Sequence, residues 1–152
     1  MNKSLRIIIA GLIGGFIGEG IMGGLFMSPP INSILYDPAI QSQLFIEITP
    51  DRDLFKSIAG MVILSIAHAW FYSLFIHSIP GSTWIKKGLF WGFTIWLMYW
   101  VFQEWFIYHT LLNEPILLNL LELTILLFGS LAEGVIIAWF LRNANSHLSD
   151  SN

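Results

Sequence analysis

Residues 57–85 read SIAGMVILSIAHAWFYSLFIHSIPGSTWI and contain no Asp, Glu, Lys or Arg. A helix needs about 20 mostly apolar residues to cross the hydrocarbon core of a bilayer, and this run exceeds that length. His68 is the only histidine deep inside it. The rest of the chain has the same character, with 55% hydrophobic and only 11% charged residues, too few polar groups to cover a soluble globule of 152 residues. The length fits one domain with no room for a separate soluble catalytic unit, so function belongs to the bundle and its short loops.

Working outward, the turn signals divide the chain into an all-α polytopic membrane protein with four transmembrane helices in one bundle. The expected spans are 5–27, 57–79, 87–109 and 115–141, with a polar tail over 142–152. Span one stops at Ser28-Pro29-Pro30, because consecutive prolines cannot continue a helix. Pro80-Gly81 breaks the chain before span three, with Ser82 or Thr83 as its cap. Asp37-Pro38, Thr49-Pro50 and Asn113-Glu114-Pro115 each place a polar residue before a proline suited to a first helical turn. The first two signals predict a short helix over 38–48 in the first loop, 28–56, lying at the membrane interface. An ordinary loop docked on the bundle is the alternative.

Lys3 and Arg6 ahead of an apolar run resemble a signal peptide, but no A-x-A-like cleavage site follows, and the segment reads as a retained first helix. Lys3, Arg6, Lys86, Lys87 and Arg142 fall on one side of the expected spans, and Arg52 and Lys56 on the other. The positive-inside rule then places both termini in the cytoplasm, with a bacterial inner membrane as the expected location. A net charge of -3 with scattered basic residues offers no footprint for nucleic acid, and zero cysteines exclude disulfides and thiolate metal sites. Seven tryptophans include candidate interfacial anchors, and Trp96 and Trp100 lie deeper in an aromatic third span.

Glu19, Glu104, Glu122 and Glu133 sit inside these spans, with no Lys or Arg in the interiors to neutralise them. An ionised carboxylate at mid-bilayer costs roughly 2.5–3.5 kcal/mol on insertion scales, so such groups imply protonation, metal ligation, polar partners or water. Gly11, Gly15, Glu19 and Gly23 recur every four residues and form one ridge of span one, a small-residue face that turns Glu19 toward protein. Glu122 and Glu133 are eleven residues apart and share a face of span four with Gly129 and Ser130. Counted at ~1.5 Å per residue from the cytoplasmic end, the polar groups run in the order Glu133, His68, Glu19, Glu104, Glu122. Gln103, Tyr99, Tyr108 and His109 add polarity to the outer third of span three.

This ladder suits a proton or cation relay, since imidazole beside a buried carboxylic acid exchanges protons near neutrality. The sequence therefore predicts proton- or cation-linked membrane transport by a homo-oligomer or within a larger membrane complex. Gly15-Phe-Ile-Gly18-Glu19-Gly20 and Gly129-Ser-Leu-Ala132-Glu133-Gly134 echo each other on opposed helices, as some transporter repeats do. Two alternatives stand beside it. An accessory or assembly subunit would use Gly11, Gly15, Gly23 and Gly129 for helix packing and treat the acids as polar glue. A metal-site enzyme would gather Glu19, His68, Glu104 and Glu133, although the Glu-x-x-His pairs of di-metal bundles are missing. His68 and His109 lie roughly 16 Å apart in depth at ~1.5 Å per residue, too far to share one haem iron, which leaves single axial ligation by His68 open. The cofactor stays unassigned.

Overall fold

Asn2 begins the first helix by accepting a hydrogen bond from the Ser4 amide at 3.3 Å, and α1 then runs Lys3–Phe26. The computed structural model describes residues 2–48 and 54–142. The Thr49-Pro50 signal, Arg52 and the tail beyond Arg142 lie outside them. Two short helices follow, α2 (Pro29–Leu35) and α3 (Gln43–Ile48). Then come α4 (Leu54–Phe75), α5 (Trp84–Ile95), the short α6 (Val101–Gln103) and α7 (Ile116–Leu141). No strand occurs among the described residues.

Among the described residues three helices, α1, α4 and α7, are long and apolar enough to cross a membrane. Their outward faces carry large apolar side chains, such as Phe16 on α1, Ile63 on α4 and Phe128 on α7. This is a membrane protein. Between α4 and α7 the chain is helical from 84 to 111, but its winding widens twice. Trp96–Trp100 and Glu104–Leu111 adopt the wider π winding on either side of α6. Thr110 Oγ1 donates to the Trp105 carbonyl five residues back at 2.7 Å, as the wider turn allows. Thr83 caps the start of this composite helix by accepting from the Lys86 amide at 3.3 Å.

The segment 28–48 differs from the single helix expected over 38–48. Pro29 sits in the first turn of α2, where its missing N–H costs nothing, so the prolines that end α1 open a new helix. Asp37-Pro38 forms a turn instead, with Asp37 Oδ1 accepting from the Ala39 amide at 2.9 Å. The segment docks on the bundle through buried Leu35, Gln41 and Phe45. Phe45 stacks between Tyr36 and Tyr108, and Ser42 Oγ donates to the Leu112 carbonyl at 2.5 Å.

Glycines set the packing. Gly14 and Gly18 of α1 face α7, and a Cβ on Gly18 would fall 2.9 Å from the Gly129 carbonyl. Gly11 and Gly15, on the adjacent ridge, face Ser65 and Ile66 of α4. Gly88 and Gly92 of α5 meet Gly134 and its neighbours on α7, so the two backbones nearly touch. Gly23 faces open space, where a Cβ would meet nothing within 4 Å. The tight layer is therefore α4–α1–α7–α5. In it α4 buries only Ser65, Ala69 and Tyr72, while α7 is buried along its whole length. At the end near the N-terminus, Ile7, Ala69, Tyr72, Ile137 and Leu141 form one apolar cluster. Lys87 and Arg142 lie at that end. Arg142 stacks over Trp84 and Trp139, and Lys87 Nζ donates to the Ile76 carbonyl at 2.5 Å.

Candidate functional site

Two polar clusters occupy the bundle, one near its middle and one toward the end that carries α2 and α3. In the first, His68 Nδ1 of α4 lies 2.9 Å from Glu133 Oε1 of α7. The Glu133 side chain is 7% exposed and that of His68 20%, so the pair sits where the apolar faces of α1, α4 and α7 exclude most water. One proton serves this contact. Either the neutral acid donates to Nδ1, or Nδ1–H donates to the carboxylate, and the tautomer decides which.

Glu19 of α1 interacts electrostatically with both members of the pair, and Tyr99, in the first π-wound turn, interacts with Glu19. Each long helical segment therefore contributes one group. Gly18 brings the α1 backbone against Glu133 Cβ, which is how Glu19 comes near the pair. The Glu19 residue itself lies on the exposed side of α1, at the edge of the cluster rather than enclosed in it. Ser130, one turn from Glu133, is fully buried, and its Oγ has no hydrogen-bond partner.

The second cluster is drier. Glu104, Glu114 and Glu122 are 2%, 1% and 8% exposed, and one carboxylate oxygen from each lies within 4.8 Å of the others. Glu104 opens the second π-wound segment and Glu122 lies on α7. Glu114 belongs to the connection between them, where Asn113 takes a left-handed φ of 55° and turns the chain inward. His109 Nδ1 contacts the Glu114 carbonyl at 2.8 Å and pins this turn.

Two amides hold the acids in place. Gln41 Nε2 donates to Glu114 Oε1 at 2.8 Å and to the Leu35 carbonyl at 3.0 Å, which ties the first loop to the cluster. Asn119, fully buried on α7, donates through Nδ2 to the Glu104 carbonyl at 2.8 Å and to Glu104 Oε2 at 3.2 Å. Burial pushes the Glu114 carboxyl up, while the hydrogen bond from Gln41, the nearby Asn119 amide and His109 pull it back down. Glu104 and Glu122 hydrogen-bond to each other side chain to side chain, an arrangement in which two carboxyls share a proton.

No family model, curated protein or solved structure matches this chain.

The structure thus separates the acids that the sequence set on one ladder. Glu133, His68 and Glu19 come together near the middle. Glu104 and Glu122 form another group with Glu114. The proposed metal set of Glu19, His68, Glu104 and Glu133 is divided between the two clusters, with Glu104 in the second. In the sequence Tyr99 and Ser130 stand out only as local polarity. Glu114 enters the sequence pattern only as part of a helix-start signal, and its place between two helices that carry acids is the one hint of its role.

Proposed function

We propose that this protein carries out proton- or cation-linked transport across a membrane, with the composite helix 84–111 as a fourth crossing and α2 and α3 at the outer interface. The observation that supports this most is the 2.9 Å contact between His68 Nδ1 and Glu133 Oε1 across α4 and α7. A buried acid and a neutral imidazole at that distance pass a proton with little rearrangement, and Glu19 beside them supplies a second acceptor on α1. The positive-inside rule puts the end bearing Lys3, Arg6, Lys86, Lys87 and Arg142 in the cytoplasm.

α4 carries His68 and is the least buried of the long helices, packing mainly on α1 through Gly11 and Gly15. A tilt of α4 makes and breaks the pair, which is the motion that alternating exposure of the site requires. In proteoliposomes loaded with a pH-sensitive dye, the wild-type protein is expected to pass protons in response to an imposed pH or cation gradient. A hydrogen bond to a charged group is worth ~1.5–3 kcal/mol, so Glu133→Gln and His68→Ala should slow that flux by roughly ten- to a hundredfold. An inert wild-type protein that purifies only with a larger complex would instead mark the chain as an accessory subunit.

A further inference from the structure

The carboxylates of Glu104, Glu114 and Glu122 converge from three separate pieces of chain beside a buried amide whose oxygen is unsatisfied. Asn119 is fully buried, its Nδ2 is committed to Glu104, and its Oδ1 has no hydrogen-bond partner. The same amide lies against Glu114, whose own Oε2 is buried without a hydrogen bond. Buried oxygens left unpaired are rare, because each forfeits its hydration without return. Here two of them occur within one cluster of acids.

We propose that Glu104, Glu114, Glu122 and Asn119 Oδ1 form a binding site for a hard divalent cation of the Ca2+, Mn2+ or Mg2+ class at the end of the bundle covered by α2 and α3. The donors are all oxygen, which selects hard ions over zinc or copper. His109 does not complete a softer set, since neither of its ring nitrogens joins the three carboxylate oxygens that lie within 4.8 Å of one another. The size also fits. Ligands at ~2.3–2.6 Å from Ca2+ stand up to about 5 Å apart across the ion, and the three carboxylate oxygens lie within 4.8 Å of one another.

Gln41 orients Glu114 from outside, as a positioning residue, and Asn119 Nδ2 orients Glu104. A bound ion would bridge α7, the composite helix and their connection, and so lock the loop 28–48 through Gln41. This site does not depend on proton movement through His68 and Glu133.

The test is Mn2+ titration of protein purified in mild detergent and stripped with EDTA, followed by electron paramagnetic resonance. About one Mn2+ per chain is expected, displaced by Ca2+ or Mg2+, with a melting temperature that rises with free Mn2+ by mass action. Losing even an outer-shell partner typically costs about 10–100-fold in metal affinity, so Glu122→Gln and Glu104→Gln should lose roughly 100-fold or more. His68→Asn and Glu133→Gln should bind as the wild type does. Spin-echo spectra of the wild-type complex need no variant to fold, and should show oxygen ligation without a coupled histidine nitrogen. Failure of the wild type to bind below millimolar Mn2+ would overturn the proposal. So would unchanged binding in both acid variants, or a coupled imidazole nitrogen, which would show that the ion is held by a histidine and not by this all-oxygen set.

Discussion

At the scale of single residues, the side chains that matter most are those joining one helix to another through a polar contact in an apolar setting. Trp96 is such a residue, because its Nε1 donates to the Leu123 carbonyl at 2.8 Å and fastens the first π-wound turn to α7. Trp96→Phe keeps most of the ring volume and removes the donor, so it should lower stability by about 1 kcal/mol, read as a lower melting temperature in detergent. Gln41 is a sharper case. Gln41→Leu leaves the Glu114 carboxyl buried with fewer donors, which costs about 1–3 kcal/mol, more than a surface substitution would. A wild-type melting curve for Gln41→Leu would show that the loop is not held through this contact. Neither interaction has a period or motif in the sequence. Each pairs residues far apart in the chain, Gln41 with Glu114 and Trp96 with Leu123.

At the scale of elements, the glycines of α1, α5 and α7 make a contrast that can be measured. A Cβ on Gly92 would lie 2.7 Å from Leu131 Cα and closer still to the Ser130 carbonyl, and backbone atoms cannot step aside as a side-chain tip can. Gly92→Ala should therefore destabilise by ~1–3 kcal/mol as an overpacked contact. Gly23→Ala meets nothing and removes a flexible helical residue, so it should be neutral or raise stability by about 0.4–1 kcal/mol. Equal effects at the two sites would contradict the helix arrangement. The π-wound segments give a second element-scale expectation. A wide turn accommodates one extra residue while the helix on either side keeps its direction. Deleting Met98, which is 72% exposed in the first such turn, should relax it to α winding and leave Glu104 facing α7. Deleting Leu120, also exposed but within the regular α7, rotates Asn119 by about 100° relative to Glu122 and Glu133. The first variant should purify as a monodisperse folded protein and the second should not. These windings explain why periodicity counted at 3.6 residues per turn does not locate the partners of Tyr99, Glu104 or His109. The register slips wherever the helix widens.

For the whole molecule, the number of crossings is the quantity to test, and the absence of native cysteine makes it simple. Ser33, Ser82 and Asn113 are exposed positions in the connecting segments. With the composite helix as a fourth crossing, single variants Ser33→Cys and Asn113→Cys should react with a membrane-impermeant maleimide from one side. Ser82→Cys should react only from the other. Labelling of positions 82 and 113 from the same side would show that 84–111 does not cross.

The sequence by itself determined that the chain is helical, apolar and built for a membrane, because uncharged runs of bilayer length and the Pro and Gly punctuation around them are local properties. It also marked Glu19, His68, Glu104, Glu122 and Glu133 as costly residues, since that cost depends only on depth in an apolar segment. Only the tertiary structure decided how they are grouped. α1 presents two glycine ridges to two different neighbours, the composite helix changes its winding, and a left-handed Asn113 turns Glu114 inward. Which acid meets which base depends on helix rotation and interaxial distance. Those are set by close backbone contacts between distant segments, and no local pattern in the chain encodes them.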